Sequence, residues 1–359
     1  MIGFISYSGV SSKLYALSSE FLNDEDYKNL MAQSSVQDVV RYLQATRMYS
    51  DTIGNMTLEE IHRRDLEIML QMDLIKDLKK IFTFFVTFDK DFSRLMFQRY
   101  EIENLKLALR IVLIEMGSKD NVENLKKQFF DLGGKASIDP IKVATSKNQD
   151  EILDNLAGSP YQEIVRNAFS SYKNSSSSTL IGVLENAIDS WIFARIISAS
   201  QKLGAKDQMV VKTLIGERAD LTDVEWVVRA KAFYEIKPEE LYNSLLPYHF
   251  RLGPSDLHAM CDAKGIKELL DFLKESPYKE IYKDMNEETI IDTITIQERR
   301  FLREKSLEAI TKFGTFSIAS FFRYFFLKEY EIMDIISIVE GVRYGLKPEE
   351  IKGLVIRKF

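Results

Sequence analysis

Three short stretches of this chain repeat one pattern, and that threefold repeat restricts the fold before any other property does. Glu101-Ile102-Glu103-Asn104-Leu105, Asp220-Leu221-Thr222-Asp223-Val224 and Glu331-Ile332-Met333-Asp334-Ile335 each read acid, Ile or Leu, any residue, Asn or Asp, apolar. Leu109, Val228 and Val339 follow at a common step. Copies two and three run on to Lys237-Pro238-Glu239-Glu240-Leu241 and Lys347-Pro348-Glu349-Glu350-Ile351.

A second motif repeats with them. Residues 150–161 and 267–278 align at a constant offset of 117 and share Leu or Ile, Leu, Asp, Leu, Ser, Pro and Tyr. Leu43, Thr46 and Tyr49 form a weaker first copy. From Leu43, Leu156 and Leu273 to Asn104, Asp223 and Asp334 the distances are 61, 67 and 61 residues. A connecting loop repeats as well: Ile138-Asp139-Pro140 answers Leu252-Gly253-Pro254, with Val143 and Leu257 next in step. The sequence therefore predicts three tandem modules, 1–135, 136–250 and 251–359. Each contains a short helix, a turn with Tyr, a long helix and a signature helix.

The class is all-α. Seven prolines and few alternating apolar–polar runs leave little room for strands. Residues 13–32 read as a first amphipathic helix and Val36 to Leu43 as a second. Thr57-Leu58-Glu59-Glu60 offers a capping box opening a long helix to about Phe88. An acid in a helix's first turn gains ~0.3–1 kcal/mol from the helix dipole. Signature helices are thus expected to begin at Glu101, Asp220 and Glu331, the first running to about Met116 with Ile102, Leu105, Leu109, Val112 and Leu113 on its buried stripe. The Asn or Asp three residues on is placed to tie local backbone or a neighbouring loop. The Lys-Pro-Glu-Glu segments read as helix starts. Gly117, Gly133-Gly134 and Pro140 punctuate a connection, and Asn174 to Ser178 reads as an exposed tether. The aromatics Phe313, Phe316, Phe321, Phe322, Tyr324, Phe325 and Phe326 read as packing.

Composition excludes several classes. With 359 residues the chain is long enough for two or three domains, and its 45% apolar and 28% charged residues are those of a folded soluble protein. A net charge of −6 leaves no excess cation for phosphate neutralisation, so nucleic acid is not an expected partner. Cys261, the single cysteine, excludes an internal disulfide and suggests the cytoplasm. The first residues lack a basic, apolar leader pattern. Ile81 to Phe88 and Ile318 to Leu327 are shorter than the ~20 residues of a membrane span.

Chemistry is not apparent. Gly133-Gly134-Lys135-Ala136-Ser137 lacks the first glycine and the hydroxyl of a phosphate loop. His258, Cys261 and Asp262 lie close together, but no second pair of ligands accompanies them. Glu239-Glu240 and Glu349-Glu350 read as solvated acids, and Arg299-Arg300 with Arg303, between Glu298 and Glu304, as a solvated face. No catalytic residue, cofactor or metal is expected.

Taken in order, Tyr100 to Lys106, Leu109-Arg110, Val228-Arg229-Ala230-Lys231, Glu331 to Ile335 and Tyr344 to Ile351 resemble the C subunit of V/A-type rotary ATPases. The d subunit of the eukaryotic vacuolar enzyme is of the same family. The resemblance covers nearly the whole chain; the long Ser-rich segment of module two and Asp for Asn in copies two and three depart from it. It implies a pseudo-threefold funnel of three similar helical domains. One end would rest on the membrane proteolipid rotor ring, and the cavity would receive the central-stalk shaft with its small companion. Such a subunit hydrolyses nothing; it couples shaft and ring for ATP-linked proton or sodium transport from a peripheral, cytoplasmic position. In that setting Lys106, Arg110, Arg229 and Arg343 are expected to bind the shaft, against the simpler reading that they lie over the helix surface. Glu101, Asn104, Asp220, Asp223, Glu331 and Asp334 are expected to be structural. The alternative is a helical-repeat scaffold for another assembly, which the module length of ~115 residues disfavours against the 20–45 of ordinary solenoids.

Overall fold

Helical periodicity carries through to the computed structural model, which describes residues 2–56, 62–85, 90–114, 125–133, 136–173, 176–234 and 236–359 and contains no strand among them. The backbone divides into two compact units, Met1–Phe88 with Ser200–Phe359, and Asp89–Ala199.

The first unit begins with α1 (Ile2–Ser18), α2 (Asp24–Met31), α3 (Val36–Ala45), α4 (Ser50–Ile53) and α5 (Arg63–Phe82). The second contains α6 (Lys90–Ile114), α7 (Pro140–Ala144), α8 (Gln149–Asn155), α9 (Gln162–Ser171) and α10 (Ser177–Ser200), whose last residue passes into the first unit. The first unit resumes with α11 (Ala205–Phe233), α12 (Pro238–Asn243), α13 (Pro254–Asp262), α14 (Ile266–Glu275), α15 (Lys279–Tyr282), α16 (Ile290–Phe313), α17 (Ala319–Arg343) and α18 (Pro348–Leu354).

Local chemistry starts the short helices. Asn23 accepts from the N–H groups of Glu25 and Asp26, while the Asp26 side chain accepts from the Asn23 N–H, a reciprocal cap. Asp139 caps α7 ahead of Pro140, and Asp256 accepts from the Gly253 N–H at 2.7 Å ahead of α13. Pro238 and Pro348 open α12 and α18 as predicted, because a helix's first residue needs no amide hydrogen.

Two expectations are corrected. Residues 13–32 are not one helix: the chain leaves the helix after Ser18 and restarts at Asp24, because the Leu22 N–H is taken by Glu331 and Asn23 caps the new helix. The signature acids do not start helices. Glu101, Asp220 and Glu331 lie midway along α6, α11 and α17, so the dipole argument does not apply to them. Their apolar followers pack as predicted; Ile102, Leu105, Leu109, Leu221, Val224, Val228, Ile332, Ile335 and Val339 are all buried.

In the first unit α17 is the hub, packed against α1, α2, α3, α5, α16 and α18. It is buried around most of its circumference, the arrangement that carries apolar residues on every face. The predicted aromatic packing is here: Phe313, Phe321, Phe322, Tyr324, Phe325 and Phe326 are buried, and Phe316 alone is exposed. Gly341 lets α18 approach closely; a Cβ there would meet the Ile351 side chain at 2.6 Å. Several polar groups inside this core are paired. The Tyr324 hydroxyl donates to Asp77 at 2.7 Å, Arg218 reaches Glu329 at 3.0 Å, and the fully buried Lys328 lies 2.8 Å from Asp73 and over the Tyr49 ring.

Other sequence readings resolve locally. Glu298 is not on a solvated face; it is buried and accepts from the Tyr282 hydroxyl at 2.7 Å. Arg300 donates to the Val355 carbonyl at 2.6 Å, joining α16 to the end of α18. His258 stacks on Tyr242 at 3.8 Å and Cys261 is buried. Among the described residues no group of acids, His and Cys is arranged for a metal, and no helix is long and apolar enough to cross a membrane. The predicted capping box at Thr57, Met116, Gly117, Gly134, Lys135, Asn174 and Ser175 lie outside the described residues, and the long helix expected to run to about Phe88 ends instead at Phe82, with Thr83 as its cap; Ser177 and Ser178 begin α10.

Removing one partner of a buried ion pair strands the other charge, at a cost of about 3–5 kcal/mol. Lys328→Ala should therefore lower the unfolding free energy by about that amount in urea titration. A loss under about 1 kcal/mol would mean that Asp73 is not stranded by it.

Candidate functional site

The acids that the sequence marked as structural each collect donors from another segment. In the second unit Glu101 accepts from the Tyr161 hydroxyl at 2.7 Å, the Ser137 hydroxyl at 2.9 Å and the N–H groups of Ser137 and Ile138. In the first unit Asp220 accepts from the Tyr278 hydroxyl at 2.7 Å and from the N–H groups of Phe250, Arg251 and Leu252 at 2.8, 2.7 and 3.2 Å. Glu331 accepts from the Tyr49 hydroxyl at 2.7 Å and the Leu22 N–H at 2.9 Å. Each lock fixes a tyrosine that immediately precedes a short helix, α4, α9 or α15. Tyr49 and Tyr161 are fully buried and Tyr278 nearly so. Their rings pack beside Lys328, Trp191 and Phe301 respectively.

The residue three positions on performs a second, separate task. Asn104 exchanges a reciprocal pair of hydrogen bonds with the Phe130 backbone at 2.8 and 2.9 Å. Asp223 accepts from the Leu246 N–H at 2.9 Å. Asp334 accepts from the Ile356 and Arg357 N–H groups at 2.5 and 3.1 Å and from the Tyr27 hydroxyl at 3.1 Å. The predicted tie to a neighbouring loop is present in all three copies. A mid-helix carboxylate or amide thus satisfies the amides of a returning segment that has no strand or helix to pair with.

Two features escaped the sequence. The first is which copy completes which lock. Tyr161 follows Glu101 by 60 residues and Tyr278 follows Asp220 by 58, so each acid binds the tyrosine turn of the next copy. The last acid, Glu331, binds Tyr49, 282 residues before it. The second is that Leu22-Asn23 is the first-copy counterpart of Ile138-Asp139 and Leu252-Gly253; its amide feeds the equivalent acid, and Tyr27 stands at the step of Val143 and Leu257. Its signal was the Asn23-Asp24-Glu25-Asp26 cap, hidden by apolar residues that continue a helical period across it.

Burial raises the carboxyl of Glu331 to about 7, although Lys328, the Tyr49 hydroxyl and the Leu22 amide pull it down. Burial likewise raises Asp334 to about 6 against the donors from Ile356, Arg357 and Tyr27. Burial raises Asp223 and lowers His249, whose imidazole lies 3.4 Å from Asp223. Perturbed carboxyls gather at active sites, but a reacting group needs access to substrate, and these are sealed under packed helices. A cavity of about 250 Å³ lined by Arg47, Asp51, Asp73, Lys76, Asp77 and Lys80 contains none of the signature acids.

The four basic candidates are differently placed. Lys106 is largely buried, 2.5 Å from Asp189 and 3.5 Å from Glu103. Arg110 holds Glu185 through two nitrogens, one at 2.8 Å. Arg229 lies 2.7 Å from Glu225 on its own helix, and Arg343 lies 3.5 Å from Glu340. The guanidinium groups of Arg110 and Arg229 remain about half exposed.

The raised carboxyls fix the sign of a pH dependence. A folded state whose Glu331 titrates near 7 instead of 4.5, and whose Asp334 titrates near 6 instead of 3.8, holds protons that the unfolded chain has released. Their contribution is complete below the unfolded values and is lost as pH rises through about 6 and 7. Glu331→Gln should flatten the fall in urea midpoint between pH 4.5 and 7 by an amount equivalent to about 3 kcal/mol. An unchanged slope would show that Glu331 is not the group responsible.

Comparison with known proteins points to one family. Residues 10–354 match the family described as ATP synthase (C/AC39) subunit. The C subunit of the A-type ATP synthase of Thermococcus onnurineus is 22% identical, over 98% of this chain and 90% of that protein. The protein of the same name from Methanocaldococcus jannaschii is 21% identical, over 99% and 88%. That of Methanosphaera stadtmanae is 23% identical, over 79% and 69%. With the family match spanning nearly every residue of the three repeated motifs, this chain belongs to the ATP synthase (C/AC39) subunit family.

Proposed function

We propose that the chain is a non-catalytic rotor socket of a V/A-type ATPase or ATP synthase, passing torque between the central-stalk shaft and the membrane proteolipid ring. In this reading the modules 1–135, 136–250 and 251–359 each present one signature helix. The protein sits at the cytoplasmic face of the membrane without spanning it, and its partners are the shaft, the shaft's small companion and the ring.

The observation that carries the reading is the set of three acid–tyrosine locks. A torque-bearing part has to resist shear between its helices, and close-packed interiors do so only where the packing cannot slide. A hydroxyl and up to three amides converging on one buried carboxylate pin each short-helix layer to the middle of a long helix. Directional bonds at three sequence-equivalent points suit transmission and leave no reacting group exposed. The family membership supplies the setting.

Lys106, Arg110, Arg229 and Arg343 are the residues we assign to partner contact, led by the half-exposed Arg110 and Arg229. Lys106 contributes through its pairs with Asp189 and Glu103, which keep the α6 surface in place. A rotary ATPase purified in detergent from the source cells should contain this chain, and the isolated chain should capture the shaft subunit. Combined Arg110→Glu and Arg229→Glu substitution should weaken that capture about tenfold or more. A holoenzyme complete without the chain would refute the socket; unchanged capture by the charge-reversed chain would refute the residue assignment alone.

A further inference from the structure

Independently of the socket reading, we infer that Asp223 and His249 hold one proton between them, that this proton fastens the segment 244–252 along α11, and that the segment loosens when the proton is lost on raising the pH. Residues 244–252 form neither helix nor strand. They run back along one face of α11 and are tied to it about once per turn. The Trp226 indole donates to the Ser244 hydroxyl at 2.8 Å, and Asp223 accepts from the Leu246 N–H at 2.9 Å. Asp220 takes the amides of Phe250, Arg251 and Leu252, and Glu217 holds the Arg251 side chain. Gly216 completes the face, since a Cβ there would lie 2.6 Å from the Phe250 side chain.

One polar atom in this series lacks a donor. Asn104 uses both its oxygen and its nitrogen on the Phe130 backbone, and Asp334 uses both oxygens on Ile356, Arg357 and Tyr27. Asp223 uses Oδ1 alone. Its Oδ2 is buried and makes no hydrogen bond, and 3.4 Å away lies Nδ1 of His249, equally buried and equally without one. Two lone pairs left facing each other in a dry interior are unfavourable. A proton on either atom makes the other its acceptor, and an approach of about half an ångström gives the length of a charge-assisted bond. Copy two alone therefore draws its second donor from an imidazole.

The surroundings keep the proton on the pair. Asp220, one turn earlier on α11, acts on both groups, and its negative charge favours the protonated pair. Burial opposes the net negative charge that would remain once the proton left. The neighbouring cations are engaged elsewhere, Lys231 on the Cys261 carbonyl and Arg251 on Glu217. From α13 comes the Cys261 thiol, raised by burial to about 11 and so neutral, with Asp262 beside it; the segment itself adds the Tyr248 phenol, also raised by burial. The inward residues of α14 are leucines. Lys305 of α16 and Glu329 of α17 act on Glu217 and Arg218, more than a turn from Asp223. The folded pair thus keeps one proton above the ordinary imidazole value of about 6.5, where the unfolded chain has released it, and its hold on the segment is lost as pH rises further.

The test is an NMR titration of the imidazole nitrogens of the full chain from about pH 5 to about pH 9, with His62 and His258 as internal references. Amide-exchange protection of Leu246, Phe250, Arg251 and Leu252 is measured over the same range. His249 should titrate about one unit or more above 6.5. Protection of the four amides should fall about tenfold or more across that step, while the amides of α16 keep theirs. Asp223→Asn should bring the His249 value below about 6.5, the burial being left without its carboxylate. His249→Gln, which supplies a donor that does not titrate, should keep the segment protected at every pH. An imidazole that titrates at or below 6.5 in the unsubstituted chain, protection indifferent to pH, or a release that survives in His249→Gln overturns the inference. If Asp223→Asn fails to fold, the titration and the exchange of the unsubstituted chain decide.

Discussion

Everything in this molecule depends on a carboxylate placed where helices ordinarily carry an apolar residue. Midway along a long helix no backbone amide is free, so a buried acid there must find its donors on another segment or cost several kcal/mol. Glu101, Asp220 and Glu331 find them in a tyrosine hydroxyl and in the amides of an irregular strip that leads into the next short helix. Both sides gain. The acid is neutralised by convergent donors, and a strip without secondary structure has its amides satisfied without water. The Asn or Asp three residues later does the same for the segment returning after the helix.

The three locks are equivalent but not identical. Asp220, with the shorter side chain, has three amides and one hydroxyl; Glu331 has one of each. The third site adds charged contacts, as the second does with Arg251 over the Tyr278 ring. Lys328 lies against the Tyr49 ring, and Arg357 reaches the Leu22 carbonyl at 2.6 Å and the Asp24 carboxylate at 2.6 Å. These extra contacts fall at the one lock that joins the first copy to the last, where the chain itself provides no short tether and loop closure is entropically most demanding.

Much of this was legible in the sequence. The repeat, the all-helical class, the buried face of each signature helix and the Pro-led helix starts follow from period and cap chemistry, which are local. The acids' true role was not, because an acid ahead of an apolar stripe looks the same whether it begins a helix or interrupts one. Glu298 misled in the same way: beside Arg299 and Arg300 it reads as surface, and only Tyr282 explains its burial. The pairing of Tyr49 with Glu331 had no local signal at all. Its trace was the tyrosine at the same step in each copy, which shows that the residue matters three times but not to which acid it goes.

The most direct test of this account is a double-mutant cycle between Tyr49→Phe and Glu331→Gln, read by urea unfolding of the full chain. If the hydroxyl and the carboxyl lock the first copy to the last, then at a pH well above the value of about 7 at which Glu331 titrates the two changes should be non-additive by about 1.5–3 kcal/mol, the value of a hydrogen bond to a charged group. Strict additivity, within about 0.5 kcal/mol, would show that the bond between them does not hold the fold together.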